Sequence, residues 1–104
     1  MRSKANLDFF TLLEKFFSEY LPTTINASAH TIKSYKCAFR LLLQFLNNEK
    51  NISTAQVSFE VLTFDILNEF FDWLSNNRNN SRVTMKQRMG ALASFADYSQ
   101  SRNL

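Results

Sequence analysis

The stretch SAHTIKSYKCAFRLLLQFL, residues 28–46, decides the fold. Its apolar residues Ile32, Tyr35, Phe39, Leu42 and Leu46 recur at alternating three- and four-residue steps, the period of an α-helix. Ser28 is a good N-cap, because its hydroxyl can accept one of the backbone N–H bonds that a helix start leaves open. The spacing therefore predicts a helix over residues 28–47, about 30 Å long at 1.5 Å per residue. A rod of that length crosses a small domain, so everything else must pack around it.

Upstream, Phe9, Phe10, Leu12, Leu13, Phe16, Phe17, Tyr20 and Leu21 have the same period and predict a helix over 8–21. Asp8 is its expected cap, and Pro22 its expected stop, since the residue before a proline is pushed out of the α region. Downstream, the polar run Asn47 to Asn51 reads as a break. Residues 53–62 alternate like a strand at Val57, Phe59 and Val61, but one short strand has no partner, so an extended or single-turn connector packed on the core is expected. Thr63 caps a third helix over 63–75, with Ile66, Leu67, Phe70, Phe71, Trp73 and Leu74 as a broad apolar face. The asparagine-rich run 75–80 around Arg78 reads as a loop. Ser81 opens a fourth helix over 81–100, with Met85, Met89, Leu92 and Ala96 expected on its core face. The prediction is an all-α, four-helix bundle forming one domain over residues 1–104.

Composition narrows the chemistry. With one Gly and one Pro in 104 residues, no glycine-rich phosphate loop or dinucleotide-binding turn can be built, and tight β-hairpins are disfavoured. One Cys and one His exclude a disulfide framework and a zinc module of Cys and His. No metal or cofactor is expected. No stretch approaches the roughly 20 apolar residues of a membrane span, and the polar N-terminus lacks the apolar core of a secretory signal. A reduced, cytoplasmic compartment is the default expectation.

The net charge of +3 conceals an uneven distribution. Residues 1–50 sum to +3, residues 51–77 hold four acids and no base, and residues 78–104 sum to +4. Between residues 20 and 48 stand Lys33, Lys36 and Arg40 and no acid, while helix four brings Arg82, Lys86 and Arg88. Helices two and four are thus basic and helix three acidic. Side by side, the two basic helices would offer a joined positive face of the kind a polyphosphate selects. Their first turns also hold Thr31 and Ser34, and Thr84 and Gln87, side chains suited to phosphate oxygens and base edges. The competing interpretation is that these are solvated faces and that Ser28 and Ser81 are only caps. His30 reads either as a phosphate contact or as an exposed first-turn residue with no role, and Cys37 as an ordinary semi-buried thiol.

At this point the residues resemble a family. The pattern Ser28, Thr31, Tyr35 followed by spaced apolar residues resembles the second helix of the N-terminal, SAM-like core-binding domain of tyrosine recombinases, the phage integrases. The stretch LTFDILNEFFDWLSNNRNNSRVTMKQRMGALASFADY, residues 62–98, is similar to the rest of that domain, with Trp73-Leu74 closing one helix and Ser81, Thr84 and Arg88 opening the next. The resemblance covers about residues 7 to 102. It implies a SAM-like orthogonal bundle that clamps double-stranded DNA at a crossover site together with a larger catalytic domain, helices two and four lying across the major groove. Carried onto this chain, the DNA-binding residues are Thr31, Lys33, Ser34, Lys36 and Arg40 on helix two, and Arg82, Thr84, Lys86, Gln87 and Arg88 on helix four. Gln87 and Arg88 are the expected base readers and the other Lys and Arg the phosphate contacts.

The catalytic residues of such recombinases are not expected here. The only His is followed by Thr31, Ile32 and Lys33, so the family's His-x-x-Arg box is missing, and Tyr20, Tyr35 and Tyr98 fall near apolar faces. The chain alone is therefore expected to be no enzyme, with its C-terminal catalytic partner lying beyond Leu104 and the interdomain linker close to that end. The family also implies self-association as a tetramer on DNA, with an exposed Phe10 or Phe17 on helix one as a protomer contact. Two alternatives stay open. A helical protein-interaction domain of SAM or death-domain type would show an apolar or mixed-charge face. A helix-turn-helix regulator needs a short turn, commonly with Gly, whereas the only Gly, Gly90, falls inside helix four.

Overall fold

The computed structural model describes residues 4–77 and 81–102. Four α-helices carry the chain: α1 (Lys4–Lys15), α2 (Ala29–Lys50), α3 (Phe64–Asn77) and α4 (Arg82–Arg102). No strand occurs among the described residues. Arg78 and its two following asparagines lie outside them.

α1 does not end where the proline rule puts its end. It starts at Lys4, so Asp8 is an interior residue and not a cap, and it runs on as a π-helical stretch, Phe16–Thr24, with Pro22 inside. The wider π turn moves each carbonyl away from the pyrrolidine ring, which removes the clash that stops an α-helix at proline. The i→i+5 pattern persists to the end, where the Ile25 N–H donates to the Tyr20 carbonyl at 3.0 Å. π geometry also brings residues five apart onto one side, and Phe16 and Leu21 are both buried. Asn26, with φ of 54°, then turns the chain toward α2.

α2 begins at Ser28, whose Oγ accepts the Thr31 N–H at 3.1 Å. The polar run from Asn47 does not break it. The helix continues to Lys50 and closes at Asn51 in the left-handed region, φ 57°, with the Ile52 N–H donating to the Leu46 carbonyl at 2.9 Å. Lys50 reaches Glu69 of α3 at 2.7 Å, the ion pair that ties the two helices together. Both groups are partly exposed, so it is worth at most about 1 kcal/mol. The connector after Ile52 holds one 3₁₀ turn, Thr54–Gln56, and buries Val57 and Ser58. Thr63 caps α3, its Oγ1 accepting the Ile66 N–H at 3.2 Å.

An aromatic cluster forms the centre. Phe95 of α4 meets Phe9 at 5.6 Å, Phe16 at 5.3 Å and Phe39 at 5.4 Å edge-to-face, and stacks on Phe59 of the connector at 5.9 Å. Rings crossed edge-to-face place a positive rim against a negative face, which adds to the gain from burial. A second group, Phe45, Phe70 and Trp73, joins α2 to α3. Phe10 and Phe17, the expected exposed contacts on the first helix, are half-buried; Phe17 packs edge-on against Phe39.

Of the expected core face of α4, Met85 and Leu92 do pack against the core, partly buried, but the centre of the buried face lies to one side of that stripe. Ala91, Phe95, Tyr98 and Ser99 are buried, whereas Met89 is 49% exposed and Ala96 is exposed. The cause is tertiary: the large rings of Phe95 and Tyr98 have aromatic partners on three other segments, and Met89 has none. The pairing of α2 with α4 is the most extensive between any two helices, so the two basic helices do lie side by side.

Candidate nucleic-acid interface

Between the N-terminal halves of α2 and α4 lies a cleft of about 330 Å³, lined by His30, Thr31, Ser34 and Tyr35 from α2 and by Lys86, Gln87 and Gly90 from α4. The positions explain themselves by helix geometry, because residues three and four apart share a face. His30 and Ser34 form one such pair, Thr31 and Tyr35 another, and Lys86 and Gly90 a third.

Eight of the ten predicted contact residues fall into three groups. Thr31, Ser34, Lys86 and Gln87 come together at this cleft. Lys33, Lys36 and Arg40, spaced i, i+3 and i+7, share an outward face of α2 and are all exposed. Within that row Lys36 leans toward the first helix, its Nζ 5.9 Å from the Phe17 ring centre, and the Arg40 Nη2 donates to the Cys37 sulfur at 3.4 Å. Arg82 is exposed beside a second depression, shared with Lys86 and floored by Val83, Met85 and Met89.

Two predicted residues are less free. Thr84 belongs to the start of α4: its N–H donates to the Ser81 Oγ at 3.2 Å, and the two hydroxyls lie 3.1 Å apart. Arg88 sits on the inward side of α4, half-buried, with its Nε shielded from solvent and without a hydrogen-bond partner among the described residues. Sequence reasoning gave His30 little weight and missed Tyr35 and Gly90 as parts of the cleft. The i, i+4 repeats could have grouped each with its neighbours on one helix, but only the pairing of α2 with α4 joins them.

Electrostatically the surface is polarised. Among the described residues none of Lys33, Lys36, Arg40, Arg82, Lys86 or Arg88 pairs with a carboxylate, and the one ion pair is Lys50–Glu69. Glu49, Glu69 and Asp72 gather around Lys50 at the C-terminal end of α2. From Lys33 to Glu49 the helix rises about 24 Å, so along α2 Lys33 and Lys36 stand toward one end and the acids at the other, with Arg40 between them. No group of His, Cys, Asp and Glu among the described residues could hold a metal ion, and no described helix is long and apolar enough to cross a membrane.

The caps at the rim of this surface are testable. Ser28→Ala and Ser81→Ala each remove the acceptor for a first-turn N–H, and each should cost about 1 kcal/mol of stability in urea denaturation. A loss below a few tenths would mean that solvent caps these helices equally well.

Comparison with known proteins agrees with this architecture. Residues 8–102 match the family model described as the phage integrase SAM-like domain. The chain is 34% identical over 84 residues to y4rD and 34% identical over 87 residues to y4rC, both from Sinorhizobium fredii (strain NBRC 101917 / NGR234) and both provisionally described as integrase/recombinases. The alignments cover 81% and 84% of this chain but only 30% and 26% of those proteins, so the chain spans under a third of their length. No solved structure matches it. The chain belongs to the tyrosine recombinase family, as its N-terminal SAM-like domain.

Proposed function

We propose that this chain is the duplex-binding module of a site-specific recombinase, holding double-stranded DNA against the face formed by the N-terminal halves of α2 and α4. The observation that carries the reading is the set of cations on two adjacent helices, none of them in an ion pair among the described residues. Unpaired cations in such a row are what phosphates neutralise, with release of counterions. Lys33, Lys36, Arg40, Arg82 and Lys86 are the proposed phosphate contacts, with Thr31, Ser34 and Thr84 as hydroxyl contacts beside them. Gln87, exposed at the cleft, is the better candidate for a base edge. Arg88, half-buried, is better placed to support the helix from behind. Strand cleavage and assembly into a tetramer belong, in this reading, to the complete recombinase with its catalytic domain.

Binding to a duplex across a salt series tests it. With about four phosphates engaged, log K should fall with log salt at a slope near −3.6. A flat dependence, or no binding at low salt, would overturn the reading. It would favour instead a helical protein-interaction domain, docking through the depression at Val83 and Met89, which are 69% and 49% exposed.

A further inference from the structure

Gly90 is the only glycine of the chain and lies in the middle of α4, where glycine is the poorest helix former after proline. Nothing within the described structure requires it there. Its φ is not in the left-handed region, and a Cβ built at the position meets no heavy atom within 4 Å. An alanine would therefore fit without strain and strengthen the helix. The side of α4 left bare by the missing side chain opens into the cleft, with Lys86 one turn before it and His30 and Ser34 across from it.

A residue that weakens its helix and meets no neighbour leaves room for something outside the chain. We infer that Gly90 marks the point where the sugar-phosphate backbone of duplex DNA approaches the α4 main chain in van der Waals contact, closer than any side chain would allow. The unpaired charges beside it select a polyanion over an apolar protein segment: Lys86 lines the same cleft, and Lys33 and Arg82 stand exposed on the same two helices. The inference rests on the duplex-binding reading and adds to it a contact made by the absence of a side chain.

Gly90→Ala and Gly90→Leu in the 104-residue chain, titrated into a labelled mixed-sequence 30-bp duplex, provide the test, with thermal melting measured in parallel. Gly90→Ala should raise the melting temperature, by roughly 4–8 °C for a domain of this size. It should nevertheless bind the duplex at least about fivefold more weakly, and Gly90→Leu more weakly still, because overpacking a close contact grows with volume. If both variants bind like the parent while the parent keeps its salt dependence, the close approach is wrong and the duplex-binding reading stands. If the parent itself fails to bind, that reading falls and this inference with it. A lower melting temperature for Gly90→Ala would mean that the glycine serves the fold. Loss of self-association in place of duplex binding would mean that a second copy of the chain occupies the cleft. Either result overturns the inference.

Discussion

Phe16→Ala should destabilise the domain by about 3–5 kcal/mol, the range for deleting a buried phenyl ring. Phe16 is fully buried and its ring faces those of Phe17, Tyr20, Phe39, Phe95 and Tyr98, from its own helix and from α2 and α4. Truncation opens a cavity that these rings, held by one another, cannot collapse into. A domain of this length has roughly 5–15 kcal/mol in total, so the variant should lose a third or more of its stability. The urea midpoint should fall with little change in the slope of the transition. Phe16→Leu, which refills most of the space, should recover most of the loss. A midpoint for Phe16→Ala indistinguishable from the parent would show that the π-helical stretch is not anchored through this ring.

The double substitution Lys33→Glu/Lys86→Glu should abolish most duplex binding while leaving the melting temperature nearly unchanged. Both side chains are exposed, and among the described residues neither has a side-chain hydrogen bond or ion pair to lose. Each phosphate contact contributes about 0.9 to the salt slope, so at about 0.1 M salt two lost contacts weaken binding by roughly 60-fold. Reversing the charges adds repulsion and brings the expected loss to about 100-fold or more. The slope itself should become shallower by about 1.8. Binding that survives at full strength would remove the α2/α4 face from consideration, and a loss confined to one duplex sequence would turn these lysines from phosphate contacts into base readers.

α2 was readable because Ile32, Tyr35, Phe39, Leu42 and Leu46 occupy one stripe and Lys33, Lys36 and Arg40 the opposite one, so polarity and period agree. α4 was misread in its details because small and apolar residues occur all around it. Met85, Met89, Leu92 and Ala96 form a stripe as regular as that of Ala91, Phe95 and Tyr98; Met85 and Leu92 pack partly buried, and aromatic partners distant in sequence decide that the second stripe is the one fully buried. Pro22 was misread because the rule applied to it assumes α geometry, and a π turn lifts the clash. The charges of the candidate site were legible residue by residue. The cleft was not, since it exists only where two helices separated by more than thirty residues meet, and an empty position such as Gly90 leaves no pattern to find.

The segregation of charge along α2 also bears on how this molecule travels before it touches anything. Lys33 and Lys36 stand toward the N-terminal end of α2, and Glu49, Glu69 and Asp72 gather around Lys50 at its C-terminal end, so charge of opposite sign is separated along that helix. In the field of a long polyanion at low ionic strength, such a body experiences a torque as well as an attraction. Under the duplex-binding reading it would turn while still several water layers away, presenting the N-terminal half of α2 and trailing that helix's acidic end. Glu49, Glu69 and Asp72, which take no part in the proposed contact, would thus raise the fraction of encounters that begin in the right orientation.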